Sequence, residues 1–130
     1  MKEKDFQTSF GKWLKASWRE SAVFELKICK EKRFNLKRIE EHQLYNLKLA
    51  KSGCLYYKIS DGSVGQKPMD CFTFYKSKAY IVILFYEPRT PKVFYMIDID
   101  KILALIKANS KSITENEASI LADYTDILKS

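Results

Sequence analysis

The amino-acid sequence predicts an α/β or α+β fold, with a mixed central β-sheet of about five strands flanked by helices. Residues 79–85 are apolar or aromatic at every position, which is typical of a strand buried on both faces. Residues 4–18 and 36–51 carry apolar side chains at helical spacing, on either side of a shorter strand-like segment. A chain of 130 residues has the size of one domain, and we expect a single domain over residues 1–130.

The first helix and the first strand are defined by the positions of their apolar residues. The helix over residues 4–18 has its apolar side chains at i, i+4, i+7 and i+8: Phe6, Phe10, Trp13 and Leu14. Residues 22–28 then form a strand, in which successive side chains point to opposite faces. Glu25 and Lys27 therefore share one face, and the apolar residues between and beside them pack on the other.

A second helix is predicted over residues 36–51, with Asn35 as its N-cap and Gly53 just past its end. Its buried face consists of Leu36, Ile39, Leu47 and Ala50. Gln43 lies four residues from both Ile39 and Leu47, so it points to that same face. A buried amide without partners costs about 1–3 kcal/mol, and we therefore expect Gln43 to have a structural or active-site partner.

The rest of the chain is predicted to be rich in strands. Four further strands are expected at residues 54–59, 70–75, 79–86 and 93–99, with the middle two joined as a hairpin near residues 76–78. A short helix follows over residues 100–107. The last helix begins at Thr114 with Glu117 completing a capping box. We expect its apolar face to contain Ile120, Leu121, Tyr124, Ile127 and Leu128.

Charge is concentrated in the first half of the chain. The net charge is +7, and residues 1–60, with fourteen Lys and Arg against seven Asp and Glu, account for all of it. A basic surface favours a polyanionic partner such as nucleic acid, although a solvated lysine-rich surface is the simpler alternative. The residues expected to contact phosphates are Lys12, Lys15, Arg19, Lys30, Lys32, Arg33, Lys37 and Arg38.

Several classes of protein are disfavoured by the sequence. The apolar run over residues 79–86 is too short to span a bilayer, and no apolar signal segment follows the N-terminus, so we expect a cytosolic protein without a membrane partner. The three cysteines have no metal-type or redox-type spacing and are expected to be reduced thiols. The only histidine, His42, has no predicted nucleophile partner, and no phosphate-binding glycine loop is present.

Four residues together suggest metal-dependent phosphodiester hydrolysis. Glu25 and Lys27 sit side by side on a rigid strand, Gln43 faces the sheet, and Asp70 begins a later strand. In this interpretation Glu25 and Asp70 hold a divalent ion, while Lys27 positions or deprotonates the attacking water. Gln43 orients Lys27 or a metal-bound water. Asp61, in an Asp-Gly turn, is a second-choice metal ligand, and its simpler role is in the turn.

Residues 24–59 resemble the Glu-x-Lys strand, the glutamine-bearing helix and the next strand of the PD-(D/E)XK nuclease superfamily. The run from His42 to Leu47 is most similar to RecU-type and archaeal Holliday junction resolvases. The resemblance implies a restriction-endonuclease-like core and an endonuclease of branched DNA that works as a homodimer with Mg²⁺, for which Mn²⁺ can substitute. It also makes Glu20 a second-choice ligand, because related resolvases carry a helical glutamate; a solvated helix end is the simpler interpretation.

The order of motifs departs from that superfamily at one point. The Pro-Asp acid normally precedes the Glu-x-Lys strand, whereas here its nearest equivalent, residues 68–70, comes after it. We therefore expect a rearranged order, in which Asp70 reaches the Glu25 strand from a later strand.

Three other functions remain open from the sequence. The chain could be a nuclease of the same fold acting on other DNA or RNA structures. It could be a non-catalytic basic nucleic-acid-binding module with Glu25 and Lys27 on its surface, or a protein-interaction domain. The strand tyrosines, which serve either to stack bases or to pack the sheet, are Tyr56, Tyr57, Tyr75, Tyr80, Tyr86 and Tyr95.

Overall fold

The structure, a computed structural model, describes residues 1–59 and 69–129. The helices are α1 (Glu3–Ser17), α2 (Glu41–Ser52), α3 (Ile99–Lys107) and α4 (Glu115–Leu121). The strands are β1 (Ala22–Cys29), β2 (Arg33–Asn35), β3 (Cys54–Lys58), β4 (Cys71–Tyr75), β5 (Lys78–Phe85), β6 (Val93–Asp98), β7 (Ser112–Thr114) and β8 (Tyr124–Ile127).

The main sheet has four strands in the order β1-β5-β6-β8. β5 lies between a parallel partner, β1, and an antiparallel partner, β6, and β8 extends the sheet antiparallel to β6. Residues 79–85 of β5 are at most 9% exposed, so the prediction of a central strand is confirmed. β2 with β7 and β3 with β4 form two separate two-stranded sheets.

Helices cover both faces of the main sheet. On one face, Phe6 and Phe10 of α1 pack in a cluster with Leu84, Phe94 and Met96. On the other face, residues of α2, α3 and α4 pack against β5 and β6; this cluster includes Leu47, Ala50, Ile81, Ile83, Ile97, Ile102 and Ala118. The predicted α+β class, with a mixed sheet flanked by helices, is therefore confirmed.

The predicted hairpin between residues 70–75 and 79–86 is wrong. β4 pairs antiparallel with β3 instead, with Cys54 opposite Tyr75 and Lys58 opposite Cys71. β5 has no edge left for β4, because β1 and β6 occupy both. The connection turns at Lys76, whose φ of 48° is in the left-handed region, and the backbone N–H of Ser77 donates to the Ala50 carbonyl at 2.7 Å.

The last predicted helix is too long. Its capping box between Thr114 and Glu117 is present, but α4 ends at Leu121 and the chain continues as β8. The helical spacing of Tyr124 and Leu128 was misleading, because the free edge of β6 takes residues 124–127 as a strand and Leu128 is buried after it.

Helix α2 begins later than the sequence predicts. Asn35 caps only a short 3-10 turn over Leu36–Arg38, where its side chain accepts a hydrogen bond from the Lys37 backbone N–H. Ile39 is extended, and α2 starts after Glu40 and ends before Gly53. Within the described residues, no helix is long and apolar enough to cross a membrane.

The first strand positions the charged pair at the edge of the sheet. Phe24, Leu26 and Ile28 pack into the cluster that contains α1, so Glu25 and Lys27 point to the face covered by α2. Among the described residues, the only main-sheet partner of β1 is β5, and the other edge of β1 is unpaired in that sheet. Charged side chains on an edge strand also discourage edge-to-edge aggregation. The presence of Glu25 and Lys27 on β1 therefore has a structural explanation that requires no active site.

Candidate active site on the edge strand

Glu25, Lys27 and Gln43 come together between β1 and α2. The Gln43 Nε2 donates a hydrogen bond to Glu25 Oε1 at 2.6 Å, and the Lys27 ammonium lies 3.7 Å from the same oxygen. The side chains of Lys27 and Glu25 are 13% and 26% exposed. A carboxylate, an amine and an amide thus form one partly buried group.

The amide of Gln43 is oriented by the start of its own helix. Gln43 is the third residue of α2, and its Oε1 accepts a hydrogen bond from the Glu40 backbone N–H at 3.0 Å. That bond is one half of a capping box, which satisfies a donor at the helix N-terminus. With its oxygen used in the cap, the side chain can offer only its Nε2 to Glu25, and this fixes which atom meets the carboxylate.

The surroundings of Glu25 raise its pKa above the ordinary value of 4.5. Burial is the main cause, because it disfavours the charged carboxylate, and the nearby Glu3 carboxylate adds to it. Lys27 and, more weakly, His42 act in the opposite direction. A perturbed carboxyl group with specific partners beside a cleft is typical of functional sites, although structural ion pairs also perturb pKa values.

Glu3 is a neighbour that sequence reasoning missed. It is the first residue of α1, and it lines a small hollow together with Glu25 and Leu26. An acid in the first turn of a helix is usually explained by the helix dipole, so nothing in the local sequence pattern singles out Glu3. Only the packing of α1 beside β1 brings this second carboxylate close to Glu25.

A basic cleft, defined as the cavity of about 680 Å³ beside Lys27, continues the site along β1. Its lining residues are Met1, Lys2, Glu3, Lys27, Ile28, Cys29, Lys30, Glu31, Arg33, Asn35 and Arg38. Lys30, Arg33 and Arg38, all predicted phosphate contacts, are therefore together in it. The Arg33 guanidinium already makes one hydrogen bond within the protein, from its Nε to Ser112 Oγ at 2.8 Å.

The other predicted phosphate contacts lie outside the basic cleft. Lys12 and Lys15 are exposed on α1, and Arg19 follows that helix and donates to the Lys15 carbonyl at 3.0 Å. Lys32 and Lys37 are exposed on the chain around β2. The structure therefore does not bring all eight basic residues to one surface feature.

An aromatic cleft, defined as the cavity of about 410 Å³ between β1, α2 and the β3–β4 pair, opens on the other side of Glu25. Its lining residues are Ala22, Val23, Phe24, Glu25, His42, Gln43, Asn46, Leu47, Leu55, Tyr57, Phe72 and Phe74. His42 is exposed there and lies 3.2 Å from a Glu40 carboxylate oxygen. Among the predicted stacking residues, Tyr57 faces this cleft, whereas Tyr80 and Tyr95 are buried in the sheet.

The other predicted metal ligands either do not line the two clefts beside this group or lie outside the described residues. Glu20 pairs with the Lys78 ammonium at 2.6 Å, which supports its structural interpretation. Asp61 lies outside the described residues. Asp70 is exposed just before β4, where its carbonyl accepts a hydrogen bond from the Ile59 N–H at 2.8 Å, and it lines neither the basic nor the aromatic cleft.

The donor set suits a hard cation held by few protein ligands. Among the described residues, no group of three or more His, Cys, Asp or Glu side chains could hold a metal ion. Mg²⁺ commonly binds through one or two carboxylates and completes its shell with water and substrate phosphates. Glu25, with Glu3 nearby, fits that smaller requirement, since its hydrogen bond from Gln43 and its ion pair with Lys27 both involve Oε1.

The arrangement combines groups that phosphate-ester chemistry requires. A carboxylate for a cation, an ammonium for a water or a phosphate oxygen, and a basic surface lie next to one another. No family model, no curated protein and no solved structure matches the chain.

Proposed function

We propose that this protein is a divalent-metal-dependent endonuclease of PD-(D/E)XK type that hydrolyses phosphodiester bonds in DNA. The observation that carries the proposal is the meeting of the Gln43 amide and the Lys27 ammonium on Glu25 Oε1. The Glu-x-Lys pattern together with an inward glutamine is the basis of the superfamily resemblance. The basic cleft beside Lys27 supports a polyanionic substrate.

Each side chain has a distinct role in this proposal. Glu25, with Glu3 or Asp70 as a second acid, would hold Mg²⁺ or Mn²⁺. The ion, when bound, makes water a stronger nucleophile and neutralises charge on the phosphate. Lys27 orients the attacking water and offsets charge that develops on phosphate oxygens. Gln43 is a positioning residue, because it holds the Glu25 carboxylate through a bond that its own helix cap orients.

The proposed substrate is branched DNA, with the four-way Holliday junction as the first choice. This choice follows from the resemblance of residues 42–47 to junction resolvases, and it implies a homodimer because a junction needs two symmetric cuts. Flap, single-stranded and RNA targets are the alternatives for the same fold, and the chemistry of the site suits them equally.

The proposal is tested by cleavage of labelled junctions, flaps, single strands and duplexes in Mg²⁺. We expect Glu25→Ala and Lys27→Ala each to lower cleavage about a hundredfold or more, as for loss of an acid–base or metal-binding group. Glu87→Ala and Lys107→Ala are matched controls, since both residues are exposed and line neither the basic nor the aromatic cleft. Equal cleavage by all five proteins, or by none, contradicts the proposal.

The same assay separates the two candidates for a second acid. Glu3→Gln and Asp70→Asn each remove one carboxylate with little change of shape. Substitution of the residue that supplies a ligand should raise the Mg²⁺ concentration required for half-maximal cleavage. Substitution of the other residue should leave that concentration unchanged.

A non-catalytic nucleic-acid-binding module is the second candidate. It is favoured by the fact that Gln43 and Lys27 already satisfy Glu25 within the protein. Metal-dependent thermal stability separates the two, because an ion at about 100 times its Kd stabilises the folded state by about 2.7 kcal/mol. A nuclease centre predicts a higher melting temperature in Mn²⁺ for the wild type than for Glu25→Gln. A binding module predicts no effect of Mn²⁺ on either protein.

A further inference from the structure

One wall of the aromatic cleft lies opposite α2 and contains the exposed, stacked rings of Tyr57 and Phe72. Tyr57 on β3 and Phe72 on β4 are directly opposite each other, with ring centroids 5.5 Å apart and planes 12° apart. They are 53% and 41% exposed, although aromatic residues on strands usually bury one face against the protein. Phe74 extends this apolar wall, because its ring lies roughly perpendicular to that of Phe72 with the two centroids 5.5 Å apart.

The opposite wall is polar and comes from α2. His42, Gln43 and Asn46 line it together with the buried Leu47, so three side chains able to form hydrogen bonds line the same cavity as the rings. The volume of about 410 Å³ falls within the range of small-molecule sites. A flat ligand with an aromatic face and a polar edge, such as a nucleobase, satisfies both walls at once.

The positive charge of the neighbouring basic cleft favours a nucleotide over an apolar peptide or a second copy of the chain as the occupant of the aromatic cleft. Glu25 lines the aromatic cleft and neighbours Lys27, which lines the basic cleft. A strand of nucleic acid can therefore lay its phosphates along Lys30, Arg33 and Arg38 while one of its bases enters the aromatic cleft. A second copy of this chain, which carries a net charge of +7, lacks the complementary charge for that surface.

We propose that the aromatic cleft binds a single unpaired nucleobase. A base inside a duplex is stacked on both sides and cannot present its face to Tyr57, so the nucleotide must be unpaired or displaced from the helix. The inference rests on the proposed function only in placing this nucleotide next to the cleaved bond. It makes the substrate of the site a strand with an unpaired nucleotide, as at a branch, a flap or a single-stranded end.

Binding without metal tests the inference independently of cleavage. In EDTA, the wild type is titrated with labelled oligothymidine, oligouridine and an abasic oligomer, each about ten nucleotides long, within the site size of single-strand binders. We expect the base-bearing strands to bind about tenfold more tightly than the abasic strand, whose charge is the same. Comparison of the thymidine and uridine oligomers decides between DNA and RNA as the source of the base. Equal affinity for base-bearing and abasic strands overturns the inference.

Variants of the ring pair locate the effect. Tyr57→Leu and Phe72→Leu keep an apolar side chain but remove the aromatic face, and each should abolish the preference for base-bearing strands, while Tyr57→Phe should keep it. Tyr56→Leu is the matched control, since Tyr56 is 63% exposed on the same strand but points away from the aromatic cleft. Loss of the preference in Tyr56→Leu, or its retention in both cleft variants, contradicts the inference.

Failure of the two proposals gives different results. If the nuclease proposal is wrong, the five proteins cleave DNA equally or not at all, but the preference measured in EDTA still depends on Tyr57. If the nucleobase inference is wrong, the wild type cleaves DNA in a Glu25-dependent manner and shows no such preference.

Discussion

Gln43 links the stability of helix α2 to the hydrogen bonding and protonation of the Glu25 carboxylate. One end of its amide caps α2, and the other end donates to Glu25. Substitutions that keep one of these bonds and break the other can therefore separate a structural role from a site role. This makes Gln43 more informative than Glu25 itself, whose loss removes the proposed centre altogether.

Gln43→Glu should destabilise the protein in a pH-dependent manner. The new carboxylate can still accept from the Glu40 N–H, but it faces Glu25 instead of donating to it. We expect a loss of about 1–3 kcal/mol at neutral pH, as for an unsatisfied buried partner. In the folded state, repulsion between the two facing carboxylates raises their pKa values, so the folded protein binds a proton more readily than the unfolded chain. The stability of Gln43→Glu relative to wild type should therefore recover as pH falls.

Urea unfolding of wild type, Gln43→Glu and Gln43→Leu at several pH values measures this effect. Gln43→Leu is the control, because it loses both bonds and its deficit should not recover in acid in the same way. A Gln43→Glu deficit that stays constant from neutral to acidic pH would show that Gln43 and Glu25 do not interact in solution.

The raised pKa of Glu25 predicts a second pH effect. The folded state holds a proton on Glu25 above the pH at which the unfolded chain releases it, so wild-type stability falls as pH rises through the raised pKa. Glu25→Gln cannot ionise and escapes this loss. The stability of Glu25→Gln relative to wild type should therefore increase as pH rises above the ordinary glutamate pKa of 4.5 and through the raised pKa of Glu25.

Glu117 is a control of opposite sign. Its hydrogen bonds with Thr114 lower its pKa, so its contribution to stability is present above the unfolded pKa and is lost as pH falls. Relative to wild type, Glu117→Gln should lose stability as pH rises, whereas Glu25→Gln gains it. Melting temperatures recorded across the same buffers compare the two variants, and the same sign for both would refute the assignment for Glu25.

At the scale of the residue, the sequence predicts the direction of those side chains whose orientation depends only on local strand or helix periodicity. Strand alternation puts Glu25 and Lys27 on one face, and helical spacing turns Gln43 toward the sheet, where the structure indeed gives it partners. Glu3 could not be found in this way, because its proximity to Glu25 depends on how α1 packs. The place of Asp70 likewise depends on which strand β4 takes as its partner, and no periodicity reports that choice.

At the scale of the element, strand existence was easier to predict than strand pairing. The apolar character of residues 79–85 indicated a buried strand, but not that β1 would be its parallel neighbour. The same limit explains β8, where Tyr124 and Leu128 fit a helix in isolation and form a sheet edge in context. Short pairs such as β2 with β7 contain too few residues to give any periodic signal.

The central strand should dominate stability. Ile83 on β5 is fully buried in the core cluster that faces α2, and Ile83→Ala should cost about 2–5 kcal/mol through lost burial and the cavity left behind. Ile120 on α4 is the matched control, since it is 75% exposed and Ile120→Ala should change stability by about 0.5 kcal/mol or less. Chemical unfolding of both variants provides the comparison, and similar costs would contradict the placement of β5 at the centre of the sheet.

At the scale of the whole molecule, the uneven charge predicts salt-dependent binding of nucleic acid. Each phosphate contact that is lost should reduce the slope of log affinity against log salt by about 0.9 on duplex DNA. Lys30→Ala removes one residue of the basic cleft. Lys107→Ala is a control with the same change in net charge, outside the basic and aromatic clefts.

Binding titrations at several salt concentrations distinguish local from overall charge. A reduced slope for Lys30→Ala alone indicates that the basic cleft contacts phosphates. An equal reduction for both variants would mean that only net charge matters, and the basic cleft would then have no special role.

The fold class of the whole molecule was predictable because it depends on which segments are helices and strands, and not on which strands pair with each other. Segments of helical and strand periodicity suffice to predict a sheet flanked by helices, and the structure confirms that class. The sheet has four strands instead of about five, because β3 and β4 pair with each other and leave the main sheet.

The parallel pairing of β1 with β5 has a consequence for protein synthesis. Glu25 and Gln43 leave the ribosome well before residues 78–85, and within residues 1–59 and 69–129 β1 has no other partner in the main sheet. A nascent chain therefore carries these side chains without the scaffold that aligns them, since contacts distant in sequence form late. Any activity of this centre would begin only after most of the polypeptide has emerged.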